Sequence, residues 1–457
     1  MTQRGNAVRA SPRDSCFPKF RLLMKTVYGT TILLLGTACF LVFRSSTLSL
    51  IFCYFTLFYF LTAAFIAFTY RNRTEAYLPS CTVLVPAYNE GEFVYRTAAS
   101  LAASDYPGLR IILIDDGSGD DTAQWIARAQ ADFPRVEALF SEKNEGKKHA
   151  LYRGVLRSDS EIIITVDSDS TVAPDAIGNL VKPFADPRIG AVAGNILVGN
   201  IQDGLIPRMM DIIFVFCYEF LRSAQSRCGT VLCTPGAMSA YRRTAVLPLL
   251  GAWLDQTFLG EKTRIGEDRA LTCLLLKNDW KVVYQESARA FTKMPVTYPG
   301  TCKMLLRWVR GDIRENILMF PYVFGRISLK NPRSLGLLLH YLAFNAGILT
   351  PVVFIPVAIT CLIFNFSASL VLATYLLLVT MLWAVVPALV YARKKSPLYA
   401  LHAFTYGIFV LLFLNWIPLY ALLTLKNNRW LTRTPRPRAP ALKPRSIHLK
   451  KDLPGAA

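Results

Sequence analysis

Four long stretches of this chain carry no charged residue, and they fix its architecture before any motif is read. Thr26 to Phe43, Thr47 to Tyr70, Leu335 to Ala392 and Leu398 to Leu425 contain no Asp, Glu, Lys or Arg. Lipid offers no water to a charge or an unpaired backbone group, so a crossing takes about 20 apolar residues in a helix. The first two runs read as two crossings joined by only Arg44, Ser45 and Ser46. The third is long enough for two, with a break near Asn365-Phe366-Ser367. Asn415-Trp416-Ile417-Pro418 interrupts the fourth. A cleaved signal peptide is not expected, because Phe43-Arg44-Ser45 is a poor small-residue site and a second apolar run follows at once. A composition of 53% hydrophobic residues fits this reading.

The formal charge of +20 sits beside these runs. The first 25 residues hold six Lys or Arg against one Asp, and the last 32 hold nine against one. Arg71 and Arg73 follow the second run, and Arg393-Lys394-Lys395 follow the third. Basic flanks face the cytoplasm, which places both ends and the intervening domain inside the plasma membrane. Charge that flanks spans instead of lining an aromatic groove argues against nucleic acid and for anionic lipid as a partner. With both ends inside, Leu335 to Leu425 must cross an even number of times, whereas the simplest count is three. Two resolutions stand side by side. The last segment is a re-entrant or surface-lying hairpin, or Leu335 to Leu349, with His340 and Asn345, lies at the interface. Ten Cys without paired zinc spacing, in a reducing compartment, are expected to stay free thiols.

The divisions are a basic N-terminus (1–25), two spans (26–70), a soluble domain (71–302), amphipathic interface helices (303–334), C-terminal spans (335–425) and a basic tail (426–457). The soluble part alternates strands with helices: Cys81 to Val85, then Glu92 to Ala103; Arg110 to Ile114, then Asp120 to Ala131; Glu161 to Val166, then Pro174 to Ala185. That order implies an α/β fold, a mostly parallel sheet covered by helices. In such sheets ligands bind beyond the C-terminal strand ends. Those ends are acidic here. Ile162-Ile-Ile-Thr-Val-Asp-Ser-Asp ends in Asp167 and Asp169, which an extended chain would point the same way, toward one hard divalent cation shared with a diphosphate. Tyr88-Asn89-Glu90 and Asp115-Asp116-Gly117 close two further strands; a Tyr ring stacks on a base and a carboxylate accepts its N–H. Asn144-Glu145-Gly146-Lys147-Lys148 opens a helix, a position suited to phosphate, although the P-loop pattern is absent. Gly266-Glu267-Asp268-Arg269 offers a general base ahead of an apolar helix. Lys303 to Phe320, with Arg307, Trp308, Arg310 and Arg314, reads as an amphipathic helix lying along the cytoplasmic face. Taken singly, each motif is equally an ordinary loop, cap or anchor.

Taken together and in order, they resemble processive family 2 glycosyltransferases, most closely the branch of hyaluronan synthases and rhizobial chitooligosaccharide synthases. Arg222 to Ser226 followed by Val231 to Arg243 is similar to the branch's acceptor segment, and Trp430-Leu431-Thr432-Arg433 to its C-terminal motif. Two positions depart from the pattern: Met304 stands where the branch has Gln, and Pro235 is added beside Gly236. The resemblance implies a GT-A nucleotide-sugar-binding domain, a mixed sheet with helices, fused to an α-helical multi-pass membrane domain. It implies that Tyr88, Glu90, Asp115 and Asp116 hold uridine and that Lys147 approaches the diphosphate. Asp167 would hold the donor near the metal, with Asp169 as a ligand of Mg²⁺ or Mn²⁺. Asp268 would act as base, Arg307 would stabilise the leaving diphosphate, and Gly236, Glu267 and Trp308 would border the acceptor. The expected partners are a UDP-sugar and a growing polysaccharide, which polar residues in the later spans (His340, Asn345, Tyr375, His402, Tyr406, Asn415, Trp416) are candidates to guide outward. Two other classes compete: transfer of a single sugar to a membrane lipid, and a transporter or receptor with a cytoplasmic α/β binding domain. The latter leaves Asp268 and the paired acids without a task.

Overall fold

A computed structural model describes residues 47–364, 366–428 and 431. The first apolar run, Thr26 to Phe43, and the Trp430 and Arg433 of the C-terminal motif lie outside them. Helix α1 (Thr47–Phe68) leads to a domain in which strands β1 (Cys81–Ala87), β2 (Arg110–Asp115), β3 (Val136–Phe140) and β4 (Ile162–Thr165) alternate with helices α2 (Phe93–Ala102), α3 (Thr122–Asp132) and α4 (Lys147–Arg157). After β5 (Thr171–Val172) and α5 (Ala176–Val181) come β6 (Ile189–Val198), α6 (Leu205–Val215), β7 (Ser239–Arg242) and the β8–β9 hairpin (Thr257–Phe258, Glu261–Lys262). Helix α7 (Glu267–Lys277) and β10 (Lys281–Thr292) close the domain.

The sheet runs β3-β2-β1-β4-β7-β6-β10-β5. Its first four strands are parallel, as the strand–helix alternation requires. Strand β7 then enters antiparallel between β4 and β6, and β5 pairs antiparallel with β10. The sheet is thus mixed but mostly parallel, as expected: β6 and β10 pair parallel and run in the direction of the first four strands, and only β7 and β5 are reversed. Strand β7 follows an irregular stretch, residues 229–238, which gives no alternating signal. Every residue of β1 and β4 is buried, since helices cover both faces. The helix expected over Pro174 to Ala185 is α-helical only to Val181; Pro183 removes a donor and the last turn tightens to 3₁₀.

Beyond the sheet, α8 (Tyr298–Gly325) is longer than the expected Lys303 to Phe320. It does not lie with its arginines in water. Arg310 and Arg314 are each 1% exposed. Arg310 donates to Thr424 Oγ1 at 2.8 and 3.1 Å, and Arg314 to the Leu425 and Ile265 carbonyls at 3.1 and 3.4 Å. A planar fork of donors can satisfy such oxygens where an ammonium cannot, so the charged side of this helix turns into the protein. Helices α9 (Pro332–Phe364) and α10 (Phe366–Lys394) follow, each with a stretch long and apolar enough to cross a membrane. Asn365, the first residue of the expected break, lies outside the described residues. Residues Leu335 to Leu349 belong to the unbroken α9. Tyr399–Leu414 and Trp416–Leu423 form a pair bent by 42° about Asn415. The foot of α10 is clasped to the sheet domain: Lys395 pairs with the fully buried Asp211 at 2.7 Å, and Lys394 with Glu286 at 2.5 Å.

The turn that carries Asp115 and Asp116 leaves no room at Gly117. Its φ is +69°, and a Cβ there would stand 2.4 Å from the Lys143 carbonyl carbon. Gly117→Ala should therefore lower stability by about 2 kcal/mol, the scale of a strained left-handed position, read as a fall in the unfolding midpoint of the detergent-purified protein. An unchanged midpoint would show that the turn yields.

Candidate active site

The expected site residues converge on the C-terminal edge of β1, β2 and β4. After β1, Asn89 adopts φ +55° and is locked to the next loop: its N–H donates to Ser118 Oγ at 3.0 Å, and its Oδ1 accepts from the Gly119 N–H at 2.8 Å. This fixes Tyr88 and Glu90 beside Asp115 and Asp116. Asp115 is buried and accepts the Ser118 N–H at 3.1 Å; burial pushes its carboxyl above the usual range. Asp116 accepts the N–H groups of Glu145 and Gly146 at 3.1 and 2.8 Å, so it also positions the loop that opens α4.

Strand β4 stops at Thr165, and Asp167 and Asp169 flank Ser168 in the turn beyond it. The alternation of an extended chain therefore does not relate the two carboxylates; the turn does. Its closure is the Ser170 N–H on the Asp167 carbonyl at 3.1 Å.

Lys147 is the centre of the site. Its Nζ lies 2.5 Å from Asp167 Oδ1 and 2.7 Å from Glu267 Oε1, with 7% of the side chain exposed. Burial opposes its charge, but Asp167, Glu267 and Asp268 outweigh that and hold its pKa above the ordinary lysine value. The Lys pair is not solvated. Lys148 is buried too and donates to Thr263 Oγ1 at 2.8 Å and the Trp253 carbonyl at 3.1 Å; burial pulls it down to about 8.

Glu267 and Asp268 sit inside the first turn of α7, not before it. Burial alone would raise both, and the two part because their neighbours differ. Lys147, with Arg307 beyond it, holds Glu267 well below the usual range. Asp268, facing burial and the Glu267 charge, is pushed up to about 6. Asp268 accepts the N–H of Arg269 at 2.7 Å and of Gly236 at 3.1 Å. Gly236 is the hinge of the whole arrangement: a Cβ there would meet Lys147 Nζ at 2.7 Å and Asp167 Oδ2 at 3.1 Å. Its loop is tied to α7 by the Thr234 N–H and hydroxyl on Thr272 Oγ1, at 3.0 and 2.6 Å. On α8, Arg307 approaches Glu267, and the ring of Trp308 packs 6.4 Å from that of Phe214. Met304 is buried in the main core, where an apolar side chain fits and a polar one would need a partner.

A cleft of about 1490 Å³ opens above Tyr88, Asp116 and Asn144 to Lys147. Its opposite wall was not foreseen: Gly260, Glu261, Lys262 and Arg264 from the β8–β9 hairpin, and Lys426, Asn427 and Asn428 after the last helix. The available signal was Leu259-Gly260, both at positive φ, a tight hairpin turn presenting alternate cations. Asn428 Nδ2 donates to the Lys262 carbonyl at 2.9 Å and ties the two parts of that wall together.

Residues 82–248 match the family described as Glycosyl transferase family 2. An N-acetylglucosaminyltransferase of Rhizobium leguminosarum bv. viciae is 34% identical over 365 residues, 78% of this chain and 82% of that protein. The chain belongs to glycosyl transferase family 2. A hyaluronan synthase of Streptococcus pyogenes is 32% identical over 357 residues, 77% of this chain and 82% of the other, so the membership lies in the branch the motifs resemble. This family 2 protein is accordingly a glycosyltransferase, and its mixed sheet is the GT-A fold. A solved mannosyltransferase of Pyrobaculum calidifontis, in complex with GDP-Man and Mn²⁺, shares that fold with a TM-score of 0.56 at 20% identity, over 79% of this chain and 97% of that one.

Lys147→Met removes the cation from between two carboxylates, one of them, Glu267, with only 4% of its side chain exposed. Stability at neutral pH should fall by about 3 kcal/mol, the scale for stranding a buried charge, measured by chemical unfolding in detergent. A loss below about 1 kcal/mol, the range of a surface pair, would show that the bridge is not structural.

Proposed function

We propose that this transferase is an inverting polymerase that builds a β-linked polysaccharide from UDP-sugars at the plasma membrane, with UDP-GlcNAc as at least one donor, and passes it outward. The observation that carries this reading is the Lys147 bridge, which sets Asp167 beside Glu267 and Asp268. Donor floor and base thus share one cluster. Tyr88, Glu90, Asp115 and Asp116 line the side that receives uridine. Asp268, raised toward neutrality yet ionised at pH 7, removes the proton of the attacking hydroxyl. Glu267 stays ionised and keeps Lys147 in place. Arg307 faces the charge that gathers on the departing diphosphate. Trp308, with Gly236 and Glu267, borders the acceptor sugar.

Asp167 and Asp169 would hold a divalent cation, Mg²⁺ or Mn²⁺. Among the described residues no cluster of three or more His, Cys, Asp or Glu forms a cage. That suits a hard ion that takes most of its shell from phosphate oxygens and water. Such an ion, when bound, neutralises charge on the diphosphate. The relatives support the donor class: one is named for N-acetylglucosamine transfer, another for hyaluronan synthesis.

A single base opposite the donor's leaving group makes one in-line displacement, so an α-linked donor yields a β-linked product. Outward passage rests on α9 and α10 standing directly after α8. Of the polar residues in these helices, Asn345 accepts from Asn316 Nδ2 at 3.1 Å and His340 meets the Tyr59 hydroxyl at 3.3 Å. Those two are engaged between helices and are not free to line a path.

Incubation with single UDP-sugars and Mn²⁺, reading UDP release and product length, tests the reading. UDP-GlcNAc, alone or with UDP-glucuronic acid, should give a polymer cut by chitinase or hyaluronidase, and chelator should stop its synthesis. Products of one added sugar would move the protein to the lipid-linked class. Activity should be lost as pH falls through about 6, where Asp268 takes up its proton, and should level off above. Asp268→Asn should bind donor but slow transfer by about 10² or more. Near-normal turnover in that variant would place the base elsewhere.

A further inference from the structure

Trp308 has a neighbour that neither the family match nor the expected site includes. Asp312 stands four residues after it on α8, on the same helix face. The helix is held there against the base. A Cβ on Gly311 would lie 3.3 Å from the Cα of Gly266, the residue that caps Glu267 and Asp268. Asp312 is thus fixed between the ring that borders the acceptor and the turn that carries the base.

Its carboxylate is only partly engaged. Arg269 Nε is 3.9 Å from Asp312 Oδ1, too far for a hydrogen bond, and that Nε has no hydrogen-bond partner among the described residues. The rest of the Arg269 guanidinium is committed elsewhere: to the Leu232 carbonyl, to Asn316 Oδ1 at 2.7 Å, and over the Phe344 ring at 5.0 Å. Arg222, the other cation in reach, lies 3.6 Å above the Tyr218 ring and donates to the Cys233 carbonyl at 3.3 Å. The Asp312 side chain still keeps 26% of its surface open, although Gly311, Ile313 and Arg314 around it are buried. Burial raises its pKa, and Arg269 and Arg222 oppose that. The Cys233 thiol marks the meeting point. Burial raises it first, and the charges of both Asp268 and Asp312 reach it.

A carboxylate with acceptor valences to spare, set beside an aromatic ring and a general base, suits the donors of a sugar: hydroxyls, an amide N–H, or an ammonium. It repels a second carboxylate at short range in a site shielded from water. We propose that Asp312 binds the acceptor's terminal sugar and selects its class, admitting neutral or amino sugars and rejecting a uronate. This rests on the chain-extending activity argued above. It makes the product a homopolymer of a neutral amino sugar, not a chain in which uronates alternate.

The test uses the full-length protein in detergent with UDP-GlcNAc as donor and two added acceptors, a neutral GlcNAc oligosaccharide and one ending in glucuronate. Wild type should extend the neutral acceptor and leave the uronate-ended one. Asp312→Asn, which keeps shape and loses charge, should raise KM for the neutral acceptor about tenfold, as loss of a charge-assisted hydrogen bond implies. It should move donor KM far less and let the uronate-ended acceptor enter. Asp312→Thr, smaller and uncharged, should relax selectivity in the same direction. Equal extension of both acceptors by wild type would overturn the proposal. So would an Asp312→Asn variant whose donor and acceptor KM move together, because that describes a merely structural residue. If wild type releases no UDP from any UDP-sugar, the proposed function falls and Asp312 falls with it. If it releases UDP without discriminating acceptors, only the Asp312 proposal falls.

Discussion

One ammonium group holds the site in register. Lys147 lies within 2.7 Å of a carboxylate from the turn after β4 and of another from the first turn of α7. These elements are a hundred residues apart in sequence, and each would repel the other without it. Four acids, Asp115, Asp116, Asp167 and Glu267, are drawn into largely buried positions around an anionic substrate's expected place. Such a concentration is tolerable only if each charge is met by a cation or by backbone N–H groups. Asp116 has two N–H groups, Asp115 one, and Asp167 and Glu267 share Lys147. Asp268 has two N–H groups and, among the described residues, no cation in an ion pair with it; burial and the Glu267 charge push its pKa up to about 6. Of the two adjacent acids in the first turn of α7, the one Lys147 touches is held low and its neighbour is raised, which is the difference the proposed base rests on.

The same economy joins the catalytic domain to the apolar helices. Helix α8 is a strut with partners on both sides. Gln256 Nε2 donates to Glu315 at 2.9 Å, and Gln256 lies 3.4 Å from the buried Lys148, which sits next to Lys147 on α4. On its other side Arg310 and Arg314 grip the end of the last helix. A shift of the membrane helices would therefore be felt at the mouth of the cleft, through side chains that have no solvent to retreat into. The Asp211–Lys395 clasp pins the far end of α10 to α6 in the same way.

Much of this was legible in the sequence, and the exceptions have physical causes. The interruption at Asn415 could be read because a polar break in a charge-free run is a local signal. So could β1, β2 and β4 and the acids after them, whereas β3 was not among the expected strands. The antiparallel insertion of β7 could not, since its partners, β4 and β6, are set by long-range pairing. The burial of Arg310 and Arg314 was missed because a helical arginine row looks the same whether water or a carbonyl faces it. Lys147 lines the same cleft as Tyr88 and Asp116, but its bond to Glu267 depends on a fold that brings α4 and α7 together, and nothing in the local pattern predicts that. The hairpin wall of the cleft and the spare carboxylate of Asp312 likewise exist only once the chain is folded.

The central claim is that one base, opposite the leaving group, performs a single displacement. It is tested most directly by the anomeric configuration of the product. Proton NMR of material made from UDP-α-GlcNAc should show the large H1–H2 coupling of a β-linkage at every new bond. A small coupling, diagnostic of retained α configuration, would contradict the account. It would require a second nucleophile that the arrangement of Lys147, Glu267 and Asp268 does not provide.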